Sequence, residues 1–247
     1  SNADADNLQA MLDAGKDVTL AVEMRAKEHG WQTSYNVIGE FTGSESPEEI
    51  VLIGAHLDSW DEGTGALDDG AGVGIVTGAA KIIKNVMGQP KRTIRVVLYA
   101  SEEFGLTGAQ EYTRKHKAEL SNIIVAAESD FGAGEIYQID TLFAPAAVEQ
   151  AKPLFEALAN IGVTQGHNQA GGGPDVSMLP KYGVPVVSLL QDGTYYFDYH
   201  HTANDTLDKV DPKALAQNQA AYALLAYFMA NSEIDTRPAP AKTTNSH

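Results

Sequence analysis

Ile50–Gly74 reads IVLIGAHLDSWDEGTGALDDGAGVG. The apolar run Ile50–Ala55 is short and rich in β-branched residues, the pattern of a strand buried on both faces. It ends at once in His56-Leu57-Asp58, and a Gly-rich polar loop leads to Asp68-Asp69. Ala71–Val86 then has helical character, with Gly72, Gly74 and Gly78 small enough for close packing on a sheet. Three more apolar runs of strand length come later: Ile94–Ala100, Ile123–Ala127 and Val184–Leu190. Between and after them, helical patterns cover Thr107–Lys117, Ala146–Asn160 and Pro212–Ala230. The first opens on a Thr107…Gln110 capping box. The last has Asp211 as N-cap and Pro212 at the first helical position. Its Leu215, Tyr222, Leu225 and Met229 share one face. Strands alternating with helices predict an α/β fold, a three-layer α/β/α sandwich around a mixed, mostly parallel central sheet.

Outside this frame, Leu8, Met11 and Leu12 predict a short helix, and the alternation in Val18–Met24 and Tyr35–Phe41 predicts two strands. Ser44–Pro47 reads as a turn. Ser1-Asn2-Ala3 reads as the remnant of a cleaved tag, residues 4–234 as one domain, and 235–247 as a flexible polar tail. The 247 residues carry 33 Asp+Glu against 17 Lys+Arg, a formal charge of −16. That balance argues against nucleic acid as a partner, because phosphate backbones attract basic patches. No apolar run approaches the roughly 20 residues that span a bilayer, so membrane insertion is not expected. The absence of cysteine excludes disulfides, Cys-ligated zinc and a Cys nucleophile.

The chemistry lies at the carboxyl end of each buried run. The first ends in His56 and Asp58, the second in Glu102-Glu103, the third in Glu128-Ser129-Asp130, and the fourth leads through an aromatic loop to His200-His201. Ligands of open α/β sheets bind outside the carboxyl ends of the strands. Any one of these acids alone reads as a solvated loop residue. Together they make a crowded anionic pocket bearing imidazoles, and adjacent carboxylates repel unless a proton or cation intervenes. Mixed His and carboxylate donors without Cys suit zinc, with manganese or cobalt as substitutes. Five ligands exceed the needs of one open catalytic zinc and suit two ions sharing a carboxylate. The glycines at 70–74 do not match a phosphate-binding loop, because the spacing is wrong and no Gly-Lys-Ser/Thr comes after them. Asp175, after a triple glycine, and Tyr195, Tyr196 and Tyr199, before His201, are candidates for walls of a substrate pocket.

GAHLDSWDEGTGALDDGAG (Gly54–Gly72), ASEEFGLTGAQEY (Ala100–Tyr112), AAESDFG (Ala126–Gly132) and YHHTANDT (Tyr199–Thr206) resemble the co-catalytic zinc exopeptidases of metallopeptidase family 28. The likeness runs from about Tyr35 to Ala230. It implies two zinc ions, with His56 and Asp130 on the first, Glu103 and His201 on the second, and Asp68 bridging them. It makes Glu102 the general base, and Asp58 and Asp205 the carboxylates that orient His56 and His201. It also places a non-proline cis peptide at Asp68-Asp69. Many members have Tyr immediately before the last metal histidine as a donor to the developing oxyanion; His200 takes that position here and the role with it. The implied activity is hydrolysis of dipeptides or short peptides at a free terminus, with a peptide as the partner, export to the periplasm or exterior, and a homodimer left open. Nearby members carry an inserted protease-associated domain, and this chain is expected to begin where that insertion returns. Two alternatives remain: a single-zinc glutaminyl-cyclase-like acyltransferase, and a receptor-like relative without catalysis. The complete His56/Asp130 pair speaks against the first, and retention of all five ligands and Glu102 against the second.

Overall fold

The structure, a computed structural model, describes residues 2–238. The chain forms two compact units, Ser1–Ser34 and Tyr35–His247. In the first, α1 (Asn2–Asp13) matches the expected short helix. Val18–Met24, expected as a strand, is unpaired, with Leu20, Val22 and Met24 exposed. Alternation marks which side chains would share a face; it supplies no partner strand, and without backbone pairing an extended segment is not a sheet.

The second unit is built on a seven-stranded sheet in the order β1-β3-β2-β4-β7-β5-β6. The strands are β1 (Val37–Phe41), β2 (Ser46–His56), β3 (Arg92–Tyr99), β4 (Ile123–Glu128), β5 (Ile136–Thr141), β6 (Thr164–Gln165) and β7 (Val186–Gln191). β3, β2, β4 and β7 are mutually parallel, and β1 and β5 join antiparallel at either side. The sheet is therefore mixed and mostly parallel, as expected. β5 and β6 went unread in the sequence, because neither forms an uninterrupted apolar run.

Period-two alternation within β2 divides the core. Val51, Ile53 and Ala55 face α2 (Ala71–Ile82) and the long C-terminal helix, while Ile50 and Leu52 pack with residues of α3 (Thr107–Lys115) and β7 on the other side. The long helix buries Ala221, Tyr222, Leu225 and Met229 among others. These two apolar layers give the three-layer sandwich. Thr107 does not cap α3: the N-cap is Leu106 in a left-handed conformation with no side-chain cap bond, and Gln110 donates to Gly105 O instead. The expected helix Ala146–Asn160 is two helices, α4 (Pro145–Gln150) and α5 (Lys152–Ala159), parted at Ala151. Pro153 has no N–H to continue the ladder. A short α6 (Tyr196–Tyr199) precedes the histidine pair, and α7 (Pro212–Asn231) closes the fold with Asp211 accepting from Lys213 N as its cap.

The tail also departs from expectation. Thr236 is fully buried, its hydroxyl donating to Ile124 O and its carbonyl accepting from Ala144 N. Arg237 reaches Asp235 and Glu49. A buried hydroxyl with a strand carbonyl as acceptor fixes the chain there, whereas polarity alone suggested fraying. Ser1 of the proposed tag remnant and residues 239–247 of the tail lie outside the described residues.

Candidate metal centre

Parallel pairing of β2 with β3 and β4 puts His56 level with Tyr99, and Gly54 level with Glu128. The turns after these strands therefore open on one edge. His56 is buried at the end of β2. Its Nε2 lies 3.0 Å from Asp68 Oδ1 and 3.3 Å from Asp130 Oδ1. The second oxygen of Asp68 lies 3.1 Å from His201 Nε2 and 3.2 Å from His200 Nε2. Glu103 Oε2 is 3.0 Å from His201 Nε2. One carboxylate thus presents its two oxygens to two separate sets of donors: His56 with Asp130, and His201 with Glu103. Donor atoms also lie within 4.8 Å of one another in the sets Asp68/His200/His201, His56/Glu102/Glu103 and His56/Asp69/Asp130. The Asp68-Asp69 peptide is cis, as the resemblance implied; a second non-proline cis peptide, Asp61-Glu62, was not foreseen.

Backbone donors position these groups. The Asp58 carboxylate accepts from the N–H of Glu102 at 3.0 Å and Glu103 at 3.2 Å, which clips the turn after β3 to the end of β2. It is the Asp58 backbone carbonyl that sits 2.9 Å from His56 Nδ1, with the carboxylate at 3.7 Å. The Asp205 carboxylate accepts from Leu67 N at 2.6 Å and Asp68 N at 3.1 Å. Both residues support the centre, yet by holding the loops that carry Glu102, Glu103 and Asp68 more than by turning imidazoles. Spacing could not show this, because the loops meet only through the fold. Asp69, whose carboxylate has no role in the sequence pattern, is buried and accepts from His56 N and Gly72 N, both at 3.0 Å. Ser101, Leu106 and His201 all have left-handed φ near +60°. Such backbone costs on the order of 1–3 kcal/mol per residue and collects at functional sites.

The charges are mutually frustrated. Burial pulls the His56 imidazolium down, but Asp130, Asp58 and Asp68 more than reverse this and hold its pKa above the usual value. Burial raises Asp68, but His56, His200 and His201 outweigh it and hold its pKa below the usual carboxylate value. Glu102 is pushed up to about 7 by burial, then by the charges of Asp130, Glu103 and Asp68. Glu103 is raised by burial and by Asp68. Glu103 Oε1 is buried without any hydrogen-bond partner. An orphaned carboxylate oxygen among imidazoles and acids, with no thiol present, fits a site for zinc.

The pocket candidates divide. Tyr195, Tyr196 and Tyr199 line a cavity of about 300 Å³ with Phe131 and Asp192. Tyr196 packs 4.7 Å from Phe131 and 4.9 Å from His200, and His200 stacks 3.5 Å from His201. Asp175 is not among the residues lining that cavity; it is buried against Glu128, whose Oε2 accepts its N–H at 2.8 Å. Its neighbours Pro174 and Ser177 instead line a cavity of about 540 Å³ beside Asp130, together with Glu128, Phe131 and Tyr137. Glu128 was legible in the same strand ending as Asp130; Tyr137 was not, because its strand was missed.

The family model for Peptidase family M28 matches residues 36–226. Human carboxypeptidase Q is 38% identical over 235 residues, covering 93% of this chain and 48% of its own. Leucine aminopeptidase 2 of Arthroderma otae is 28% identical, covering 98% of this chain and 54% of its own. The chain thus spans about half the length of the curated relatives it matches. The crystal structure of a peptidase M28 precursor from Shewanella amazonensis superposes with a TM-score of 0.91 at 59% identity, over 98% of this chain and 55% of that one. A zinc aminopeptidase from Bacillus subtilis superposes with a TM-score of 0.63 at 20% identity, covering 83% of this chain and 53% of its own, a likeness of fold alone. With the donor geometry, the strand order and the family match in agreement, this chain belongs to Peptidase family M28.

Proposed function

We propose that the chain carries the catalytic centre of a two-zinc exopeptidase acting on dipeptides or short peptides with a free terminus. The observation that supports it most is Asp68, with one oxygen toward His56 and the other toward His201. In this reading His56 and Asp130 would hold one ion, Glu103 and His201 would hold the other, and Asp68 would serve both. Bound zinc would acidify a water and polarise the scissile carbonyl. Glu102, held near neutrality, accepts the proton of the attacking water and returns it to the leaving amine. The clip from Asp58 keeps Glu102 and Glu103 in fixed relation, so that the adjacent carboxylates do different work. His200 donates to the oxygen that gains charge, and the cavities flanking Asp130 and Tyr196 receive the side chains of the peptide.

The test is a panel of free, N-blocked and C-amidated dipeptides with zinc, run on the parent and two variants. Glu102→Gln should retain both metals and lose roughly 10²–10⁴ in turnover, the usual worth of a positioned acid–base. Glu103→Gln should lose metal. Identical behaviour of the two variants would remove the assignment, and no cleavage of any peptide by the zinc-loaded parent would remove the activity.

A further inference from the structure

Trp60, in the loop after β2, lies against the Glu103 side of the centre. Its indole N–H donates to Glu103 Oε2 at 2.7 Å. That is the oxygen facing His201, while Oε1 is left buried and without a partner. The same ring lies 5.6 Å from the His201 imidazole and 5.2 Å from Phe104, the next residue after Glu103 in the chain. Trp60 therefore contacts both groups of one donor set. An indole is a donor only, so it cannot itself ligate a cation or take a proton from the reaction. What it can do is orient the carboxylate: the indole holds Oε2 toward His201, and Oε1 is left without a partner.

We propose that Trp60 is a positioning residue for the Glu103–His201 half of the metal centre, setting its zinc affinity through the indole hydrogen bond to Glu103 and the ring's packing on His201. The proposal rests on the two-zinc reading above. Groups that hydrogen-bond to metal-binding carboxylates typically contribute 10–100-fold in affinity. A residue that merely filled space would keep its effect when replaced by another aromatic ring. One that orients Glu103 loses its effect with the N–H.

The chain has two tryptophans, and the other, Trp31, is 98% exposed in the separate N-terminal unit. A Trp31→Phe variant therefore makes Trp60 the sole indole emitter. Metal-free protein of this variant is titrated with zinc by calorimetry and by tryptophan emission in parallel. Two binding events are expected, with the emission of Trp60 changing in step with only one. Adding Trp60→Phe, which keeps a ring and removes the donor, should weaken that one event about 10–100-fold and leave the other unchanged. Emission that stays constant through saturation of both sites overturns the proposal, as do unaltered affinities in Trp60→Phe. Equal weakening of both sites with a lowered melting temperature also overturns it, by assigning Trp60 to packing. Absence of zinc binding by the Trp31→Phe protein itself would instead overturn the two-zinc reading.

Discussion

Among single residues, His200 shows how a side chain acquires its role from neighbours. Its ring stacks 3.5 Å from His201, and its Nε2 approaches Asp68 Oδ2 at 3.2 Å. Burial lowers its pKa, so the imidazole is neutral when Asp68 and His201 are engaged by metal, and a neutral ring still has one N–H to give. If that N–H serves a developing oxyanion, His200→Ala should cost about 10²–10³ in kcat with metal content intact, as loss of an oxyanion donor does elsewhere. Steady-state kinetics beside metal analysis reads this out. Metal loss in the variant would make His200 a support for Asp68, and full turnover at full metal content would leave it no part in the reaction. The chemical type of His200 was visible in the sequence. Its direction was not, since the approach of Asp68 to its Nε2 exists only in the folded chain.

Between secondary-structure elements, the centre depends on how closely α2 approaches the end of β4. Gly72 sits in the first turn of α2, where an added Cβ would fall inside contact distance of Ser129 O and both carboxylate oxygens of Asp69. Those oxygens hold His56 N and Gly72 N. Gly72→Ala should therefore push α2 away from β4 and disturb Asp69 and His56 together. Overpacking of this kind typically costs about 1–3 kcal/mol. Denaturant unfolding should show that loss, and zinc calorimetry on the same protein should show weakened binding; unchanged values of both would mean that the helix accommodates the methyl freely. The glycines of this helix read in the sequence as positions for close packing on the sheet; the structure bears this out at Gly72, but an added Cβ at Gly74 would meet nothing within 4 Å, and at Gly78 it would meet Gln219 of α7. The strand endings were equally legible, because a parallel sheet sends every carboxyl end to one edge. The Val18–Met24 strand and the Thr107 cap failed because each depends on a partner or a backbone bond that local pattern does not contain, whereas the break in the helix over 146–160 was legible at Pro153.

Across the molecule as a whole, stability is tied to pH through buried carboxyls: Glu102 and Asp175 are both pushed up to about 7, chiefly by burial. A folded pKa above the unfolded one means that the folded protein holds protons the unfolded chain has released. That stabilisation is fully present below the unfolded carboxylate range near 4 and is lost as pH rises toward 7. The raised pKa of His56 has the same sign: above its unfolded value near 6.5 the folded protein keeps a proton that the unfolded chain gives up, so stability continues to fall with pH. The melting temperature of metal-free protein should accordingly fall between about pH 5 and pH 7.5. Zinc should flatten or reverse the fall, because a cation replaces the protons and binds better as the ligands ionise. Calorimetric scans across that range in chelator and in zinc provide the comparison; parallel pH profiles in the two conditions would contradict it.

The α/β layering, the common edge for the strand endings and the chemical types gathered there were all present in the order of residues, because buried strands write themselves as apolar runs and parallel pairing leaves little choice of edge. So was the family, through HLDSWD at 56–61, ESD at 128–130 and HH at 200–201. Which oxygen faces which imidazole was settled only by the folded chain. Asp58 and Asp205 turned out to hold backbone N–H groups of loops that meet only after folding. Asp175 proved to be buried beside Glu128, and Trp60 came to rest on Glu103, 43 residues away. Hydrogen-bond direction acts over about 3 Å, and at that range it is set by the meeting of distant segments, which no local periodicity encodes.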